Sequence, residues 1–304
     1  SAKLARRIAA EIDDGDYDVA FVHHDLLVQS PYLLRFLCTP SAYYCNEPMR
    51  EFYEPPIARP YLQSHSRTER WQRAWYAPER WLAKRVIRDL DRRNVRHATQ
   101  LLANSFFSAE SIYRAYDLRA SVVYLGVDVD KFRPLVVARE DFVVSVGAVS
   151  PLKGYDFLIA ALGQAPAALR PPLVIVGNTA STGEVNFLRQ LAAQHGVTIE
   201  FRVNISDDDL VRLYNTARAL VYTPVLEPFG FAPLEAMACG TPVVAVAEGG
   251  VRESVCDGET GLLTPRDPVA FAEALTQVLT QPALAARLGA QGRAAVERFW
   301  TWPQ

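Results

Sequence analysis

Two glutamates at a fixed spacing are the residues of this sequence whose type and position most clearly suggest chemistry. Glu227 and Glu235 lie in the segment 222–242, which reads YTPVLEPFGFAPLEAMACGTP. The pattern predicts a strand end, a tight turn at Gly230 and a helix start, whose free N–H groups and dipole favour an anion such as phosphate. Because two carboxylates would repel the phosphate itself, we interpret them as acceptors for neutral hydroxyls on a sugar or a ribose.

The second half of the sequence, which contains this segment, alternates between predicted strands and helices. Strands are expected at 142–146, 173–176, 198–202, 220–222 and 243–246, and helices at 155–162, 186–194, 206–217, 232–239, 268–279 and 282–299. Such alternation predicts a parallel sheet covered by helices on both faces. Ligands of these sheets bind beyond the carboxyl ends of the strands, where the segment 222–242 would lie.

The first half of the sequence is less regular. An amphipathic helix at 2–12 leads into a predicted buried strand at 19–22, and further strands are expected at 42–45, 100–103 and 121–125. Residues 132–141 are interpreted as a linker. An alternating α/β domain normally begins with a strand, so we expect this domain to be incomplete, with earlier strands missing from the chain.

Composition excludes several classes of protein. The chain has 304 residues, is 50% hydrophobic and 22% charged, and carries a formal net charge of −2. These values fit two globular domains and give no basic field for nucleic acid. No run approaches the ~18 apolar residues of a membrane span. The four cysteines lack C-x-x-C spacing, which favours a reduced, cytoplasmic setting.

With its surroundings, the segment 222–242 resembles the E-x7-E motif of the retaining glycosyltransferases of family 4, which have the GT-B fold. Further short motifs follow in the order and spacing of that family, from about Asn104 to Pro265. They include Asn104-Ser105, Gly126-Val127-Asp128, Lys153-Gly154, Ser206 with Leu213-Tyr214, Gly249-Gly250 and Asp257-Gly258.

The resemblance implies an α/β protein with two facing Rossmann-like domains and parallel sheets. We place a partial acceptor-side domain at 1–137, a nucleotide-sugar donor domain at 138–297 and the start of a C-terminal tail at 298–304. The implied enzyme is of the hexosyltransferase type, from bacterial polysaccharide or glycolipid biosynthesis. It moves a sugar from a nucleotide-diphosphate sugar to an acceptor hydroxyl of a glycan, glycolipid or small molecule, with retention of configuration. The resemblance implies that the enzyme uses no metal and no cofactor. The sequence has no His/Cys cluster with the spacing of metal ligands, which is consistent with this expectation.

The family pattern also implies roles for individual residues. Glu227 would bind hydroxyls of the donor sugar, Glu235 the ribose, and Lys153 the diphosphate, whose charge grows as the glycosidic bond breaks. His24, which follows the strand 19–22 and precedes Asp25, would lie near the reacting carbon. The remaining donor-binding candidates are Phe229, Gly230, Phe231, Ala232, Gly147, Gly177 and Arg252.

One position departs from the family pattern. Ala148 stands where the family usually has an arginine that clamps the diphosphate, five residues before Lys153. Either another cation such as Arg252 takes its place, or activity is reduced, since arginine supplies a two-pronged donor that other side chains do not.

Three alternative functions follow from the same sequence. A non-catalytic nucleotide-sugar-binding relative is compatible with Ala148. A sugar phosphorylase or nucleotide-sugar epimerase with the GT-B fold is disfavoured by the intact E-x7-E motif. A nicotinamide-dependent oxidoreductase should show G-x-G-x-x-G after a strand, and Gly147, Gly154 and Gly177 do not form this motif.

The stretch 67–97 is basic and rich in tryptophan. Residues 67–96 carry ten Lys and Arg against four Asp and Glu. One interpretation is a helix whose tryptophans pack inward, and the other is a surface for anionic lipid headgroups that would hold the protein at the inner face of a membrane. Nucleic-acid binding is disfavoured because no recognition module accompanies the charge.

Overall fold

The computed structural model describes residues 2–24, 29–63, 71 and 75–302. The chain divides into two compact units, Ser1–Tyr124 and Leu125–Gln304. Each contains a parallel sheet with helices, as predicted. The division comes before the predicted boundary at residues 137 and 138, because Val127 and Phe132 are buried in the hydrophobic core of the second unit.

The first unit contains a sheet in the order β1-β2-β3-β4, with every described pairing parallel. Its strands are β1 (Ala20–Val22), β2 (Ser41–Tyr44), β3 (Gln100–Ala103) and β4 (Ser121–Val122), and its helices are α1 (Ala2–Asp13), α2 (Arg50–Tyr53), α3 (Pro60–Gln63), α4 (Ala77–Val95) and α5 (Phe106–Tyr116). The core lies between this sheet and the helices, around Tyr43, Ile112 and Tyr116.

The prediction of a buried strand at 19–22 was wrong in one respect. Val22 is buried, but Val19 and Phe21 are exposed. β1 lies at one edge of the described sheet. Its side chains alternate between two faces, and only one of these faces packs against the core. On the other face, Phe21 lies beside an open apolar groove of about 530 Å³, whose lining includes Leu4 and Ile8 of α1.

The second unit contains six parallel strands in the order β10-β9-β8-β5-β6-β7. They are β5 (Val143–Val146), β6 (Leu173–Gly177), β7 (Ile199–Val203), β8 (Ala219–Tyr222), β9 (Val243–Val246) and β10 (Leu262–Thr264). This is the strand order of the doubly wound Rossmann type, in which the direction of winding reverses between β5 and β8. Five of these strands match predicted ones. β10 was missed because it has only three residues, two of them half-buried.

The helices of the second unit also follow the predictions closely. They are α6 (Tyr155–Gln164), α7 (Thr182–His195), α8 (Asp207–Thr216), α9 (Phe231–Ala238), α10 (Val251–Ser254), α11 (Pro268–Thr280) and α12 (Pro282–Phe299). Ser206 caps α8 as expected, since its side chain accepts a hydrogen bond from the backbone N–H of Asp209. Of these helices, only the four-residue α10 was not predicted.

The central strands of the second unit are buried on both faces. Val143, Val144, Leu220 and Val221 are fully inaccessible, as are Val243 and Val244. Valine-rich runs of this kind are typical of parallel sheets covered by helices on both sides. Rigid strands of this type fix the positions of the loops at their carboxyl ends.

The predicted linker at 132–141 is packed along the second unit. The N–H of Leu135 donates to Asn215 Oδ1 at 2.7 Å, and the N–H of Glu140 donates to the carbonyl of Thr216 at 2.7 Å. Arg139 donates to the carbonyl of Gly240 at 2.9 Å. The segment therefore forms part of the second unit rather than a free connection. Within the described ranges, no helix has both the length and the apolar character that a membrane crossing requires.

Candidate active site

An ion pair joins two loops in the second unit, at the point between β5 and β8 where the direction of winding reverses. Lys153 lies in the loop after β5, and Glu227 lies in the loop after β8. Lys153 Nζ is 2.7 Å from Glu227 Oε2, and both side chains are only 21% exposed. The two residues that the sequence placed in one site are therefore in direct contact, beyond the carboxyl ends of neighbouring strands.

Backbone contacts hold these two loops together. The N–H of Val225 donates to the carbonyl of Leu152 at 2.8 Å, and the Thr223 hydroxyl donates to the carbonyls of Lys153 and Gly154 at 3.2 Å. Gly154 has a φ of 65°, and a Cβ there would lie 2.2 Å from the carbonyl oxygen of Thr223. Only glycine fits this position, so the close contact of the loops depends on it.

An arginine from a third loop supports the same structure. Arg266 donates to the carbonyls of Thr223 at 3.1 Å and Pro224 at 2.8 Å, and it forms two hydrogen bonds with the carboxylate of Glu248. Its guanidinium also lies 5.1 Å from the ring centroid of Phe157. The start of the Glu227 loop is therefore fixed by a charged side chain that sequence analysis did not identify.

The Glu227 loop is also tightly packed against the loop that follows β9. The N–H of Gly250 donates to the carbonyl of Glu227 at 2.8 Å. Gly249 has a φ of 68°, and a Cβ there would lie 2.2 Å from that same carbonyl oxygen. Leu226 itself has a φ of 50°, which is uncommon for a residue with a bulky side chain.

These loops border a cavity of about 560 Å³. Most of the predicted donor-site residues line it, namely Lys153, Glu227, Glu235, Gly147, Gly177, Phe231 and Ala232. Residues that the sequence did not point to are also in the lining, among them Asn178, Asn204 and Asp207. Ala148 lies in the lining too, so the position of the expected arginine does face this space.

The glycines of the cavity allow close approach. A Cβ on Gly147 would lie 3.1 Å from the side chain of Lys153, and one on Gly177 would lie 2.7 Å from the carbonyl oxygen of Gly147. Gly230 has a φ of 91° and precedes the first residue of α9. The backbone N–H groups at this helix start share the cavity lining with Lys153 and give the cavity a region that suits an anion.

Glu235 projects from α9 and is mostly buried. The hydroxyl of Tyr214 donates to Glu235 Oε2 at 2.7 Å. Burial raises the pKa of Glu235, while the hydrogen bond from Tyr214 and the charge of Lys131 act in the opposite direction. Lys131 is itself paired with Asp207 of the cavity lining, with Nζ 2.6 Å from Oδ2.

Four predicted site residues lie outside the lining of this cavity. Phe229 is buried against Phe231 and Trp300, with ring centroids 5.2 and 5.9 Å apart. Gly230 is absent from the lining, although its neighbour Phe231 is part of it. Arg252 is exposed, with Nε 3.3 Å from the carbonyl oxygen of Gly249. His24 is exposed in the first unit after β1, while Asp25 lies outside the described residues.

The arrangement can bind a ligand with both anionic and hydroxyl groups. Lys153 is the one basic side chain in the cavity lining among the residues that the structure describes. The lining also includes the carboxylates of Glu227, Glu235 and Asp207, which can accept hydrogen bonds from hydroxyls. No group of three or more His, Cys, Asp or Glu side chains within the described ranges is arranged to hold a metal ion.

The second unit is thus a doubly wound α/β domain with a charged cavity at its switch point, a class that binds nucleotides and related ligands there. The chain belongs to the family described as glycosyl transferases group 1, whose model matches residues 127–295. That range covers the whole cavity lining and most of the second unit.

Two curated relatives that match this chain share a name. The chain is 36% identical over 223 residues to a D-inositol 3-phosphate glycosyltransferase of Frankia alni, covering 65% of this chain and 55% of that one. It is 34% identical over 242 residues to the protein of the same name from Streptomyces avermitilis, covering 71% of this chain and 52% of that one. The chain thus spans about half the length of these relatives.

Solved structures share the fold at low sequence identity. A sucrose-phosphate synthase from Thermosynechococcus elongatus superposes with a TM-score of 0.77 at 22% identity, covering 99% of this chain and 74% of that one. Anabaena HepE in complex with UDP and glucose gives a TM-score of 0.72 at 23% identity, covering 98% of this chain and 77% of that one. The C-terminal domain of the Francisella tularensis glycosyl transferase LpcC gives 0.52 at 23% identity, covering 58% of this chain and 100% of that domain. The parallel-sheet units of the chain are therefore those of the GT-B fold.

Proposed function

We propose that this chain carries the donor site of a retaining glycosyltransferase of family 4. The reaction would move a sugar from a nucleotide-diphosphate sugar to an acceptor hydroxyl without a metal or other cofactor. The observation that supports this most directly is the contact of Lys153 with Glu227 in a cavity that also contains Glu235 and the start of α9. A cation, a helix N-terminus and two carboxylates match the diphosphate, the sugar and the ribose of such a donor.

In this proposal the chain stabilises charge rather than forming a covalent bond to the sugar. The bond between the anomeric carbon and the diphosphate oxygen breaks, and the acceptor oxygen bonds to the same face of that carbon. The proton of the acceptor hydroxyl passes to the departing phosphate oxygen. Lys153 and the N–H groups of Phe231 and Ala232 offset the charge that develops on the phosphate, which lowers the barrier selectively.

The remaining assignments concern orientation. Glu227 accepts hydrogen bonds from the donor sugar, and Glu235 accepts them from the ribose. His24 contributes a hydrogen bond to the reacting sugar or the acceptor. The relatives' name makes a phosphorylated cyclitol the first acceptor class to test, and the UDP of the HepE complex makes UDP-sugars the first donors.

One observation favours a second candidate, a nucleotide-sugar-binding protein without transfer activity. Ala148 lines the cavity where the family pattern has an arginine, and Arg252 is outside the lining. With Lys153 paired to Glu227, the described lining then offers the diphosphate no unpaired cation. Such a protein would bind donors but turn none of them over.

The test combines a binding panel with one matched pair of variants. Thermal shifts with UDP, GDP and ADP and their sugars identify the donor, because a ligand that binds the folded state raises the melting temperature. Glu227→Ala should abolish transfer while nucleoside-diphosphate binding remains, whereas Glu259→Ala, which removes an exposed carboxylate, should leave transfer intact. Unchanged transfer in Glu227→Ala would contradict the site, and donor binding without turnover would support the second candidate.

We also propose that the first unit contacts an anionic membrane surface through the first half of α4, at the cytoplasmic face. Residues 77–86 are exposed on all sides, and Trp75 and Trp81 are 83% and 62% exposed. Leu82 and Val86 extend the apolar side, while Arg80 and Lys84 are spaced one turn apart on another. Most of the stretch that precedes α4 in the predicted surface, residues 67–70 and 72–74, lies outside the described residues.

Vesicle sedimentation tests this contact. The chain should bind phosphatidylglycerol vesicles more strongly than phosphatidylcholine vesicles, and added salt should weaken the binding. Trp81→Ser should reduce it, whereas Trp302→Ser, which removes a tryptophan of similar exposure in the second unit, should not. Equal binding to both lipids, or equal effects of the two variants, would contradict the proposal.

A further inference from the structure

A fully buried tyrosine holds the carboxylate of Glu235. Tyr214 of α8 has no solvent exposure, and its hydroxyl donates to Glu235 Oε2 at 2.7 Å. The ring of Tyr214 packs edge-on against Phe132, with centroids 6.1 Å apart. Its carbonyl accepts a hydrogen bond from the Thr241 hydroxyl at 2.6 Å. Because backbone and ring are both fixed, the direction of the phenol hydroxyl is fixed as well.

This contact uses one oxygen of the carboxylate and leaves the other. Oε2 accepts from Tyr214, and within the described part of the chain no hydrogen bond is made to Oε1. Glu235 lines the cavity, so Oε1 can accept from a hydroxyl of a bound ligand. A glutamate side chain has several rotatable bonds, and fixing it in advance lowers the entropic cost of binding.

We infer that Tyr214 is a positioning residue for ribose recognition, which it serves by holding the carboxylate of Glu235 in one orientation. This inference rests on the proposed role of Glu235 as the acceptor for the ribose hydroxyls. Tyr214 does not itself line the cavity, so its effect on the ligand passes through Glu235.

The charges around Glu235 make the hydrogen bond important for its ionisation. Burial raises the pKa of Glu235, and Asp207 at the start of α8 adds to that rise. The hydroxyl of Tyr214 and Lys131 in the segment before β5 lower it. The charge of Glu235 also acts on Tyr222 of β8 and on Cys239 after α9. Burial is the largest cause that raises the pKa of both groups, so both stay neutral near neutral pH.

The direction of the pH effect follows from these contacts. An ionised carboxylate accepts hydrogen bonds from ligand hydroxyls more strongly than a protonated one, so ribose binding weakens as the pH falls through the pKa of Glu235. Tyr214→Phe removes a donor to the ionised form and raises that pKa further. Binding by the variant should therefore be lost at a higher pH than binding by the unchanged chain.

The experiment measures the binding of UDP and GDP, each with its 2′,3′-dideoxy analogue, to the full chain by calorimetry between about pH 5 and pH 8. Tyr214→Phe should weaken the better ribonucleotide by about tenfold and move its pH midpoint upward. The dideoxy analogue should bind the variant and the unchanged chain equally. Tyr116→Phe is the matched control, because Tyr116 is also buried and donates to Asp91 Oδ2 at 2.7 Å in the first unit.

Each outcome decides a separate point. If Tyr214→Phe keeps the affinity and pH midpoint while the ribonucleotide still binds better than its analogue, the positioning role is overturned and the ribose role of Glu235 stands. If the unchanged chain does not distinguish the ribonucleotide from its analogue, the proposed role of Glu235 fails first. Should Tyr214→Phe not fold, Glu235→Asp shortens the side chain and withdraws the carboxylate from the phenol. Ribonucleotide binding by that variant with the affinity of the unchanged chain overturns the inference.

Discussion

Lys153 Nζ lies 2.7 Å from Glu227 Oε2, so the cation and the carboxylate that we assign to different parts of the donor are bound to each other. Lys153 is assigned to the diphosphate and Glu227 to the sugar. A ligand that uses both must separate the pair or share its charges. Breaking or sharing this ion pair costs free energy when a ligand binds. The size of that cost depends on whether the ligand carries the diphosphate, the sugar or both.

Glu227→Gln should consequently have opposite effects on the binding of UDP and on the transfer of the sugar. Removing the carboxylate charge leaves Lys153 available, so UDP without a sugar should bind several-fold more tightly, most clearly at low salt. Transfer should fall, because a carboxamide is a weaker acceptor for the sugar hydroxyls.

Lys153→Met should weaken the binding of UDP by about tenfold to a hundredfold, as expected for a lost charged hydrogen bond. Calorimetry at two salt concentrations measures these changes.

The control for that pair lies on β7. Glu200→Gln breaks the exposed pair with Arg202, whose Nε lies 2.7 Å from Glu200 Oε1, and UDP affinity should not change. Weaker UDP binding by Glu227→Gln would show that Glu227 does not restrain Lys153.

Gly249→Ala should damage the site through the backbone of Glu227. A Cβ on Gly249 would meet the carbonyl oxygen of Glu227 at 2.2 Å, so the loop must move, and transfer and donor binding should fall together. Gly258 has a similar φ of 74° but nothing within 4 Å of a Cβ. Gly258→Ala should therefore cost only the backbone strain, about 1 kcal/mol in unfolding free energy, and leave donor affinity unchanged. Urea unfolding and calorimetry on both variants separate the effects, and equal donor affinities would contradict the packing argument.

Arg266→Met should destabilise the second unit more than the loss of an exposed ion pair does. The variant leaves Glu248 and the carbonyls of Thr223 and Pro224 without their donor in a half-buried position. We expect a loss of about 1–3 kcal/mol in unfolding free energy. Arg202→Met, which breaks an exposed pair, should cost less than about 1 kcal/mol. Similar losses from the two substitutions in urea unfolding would show that Arg266 is not a structural support of the Glu227 loop.

The sequence predicts the second unit well because its signals are local. Valine-rich strands, the Ser206 cap and the turn at Gly230 are each specified within a few neighbouring residues, and the structure agrees with them. The proximity of Lys153 and Glu227 was also predictable, since both follow strand ends that meet at one edge of a parallel sheet.

The supporting residues were not predictable in the same way. Tyr214 and Glu235 are 21 residues apart in the sequence, and Arg266 is 43 residues from Thr223. Their contacts arise only when separate elements pack together, and no local pattern reports them. The prediction that the strand at 19–22 is buried was wrong for a related reason. An apolar run does not show which of its two faces the core will cover.

The contacts described around Lys153, Glu227 and Glu235 all lie within Leu125–Gln304, and none of them needs the first unit. In the proposed function, the residues assigned to the diphosphate, the donor sugar and the ribose thus all belong to the second unit. Substitutions confined to the first unit are therefore expected to leave these contacts unchanged.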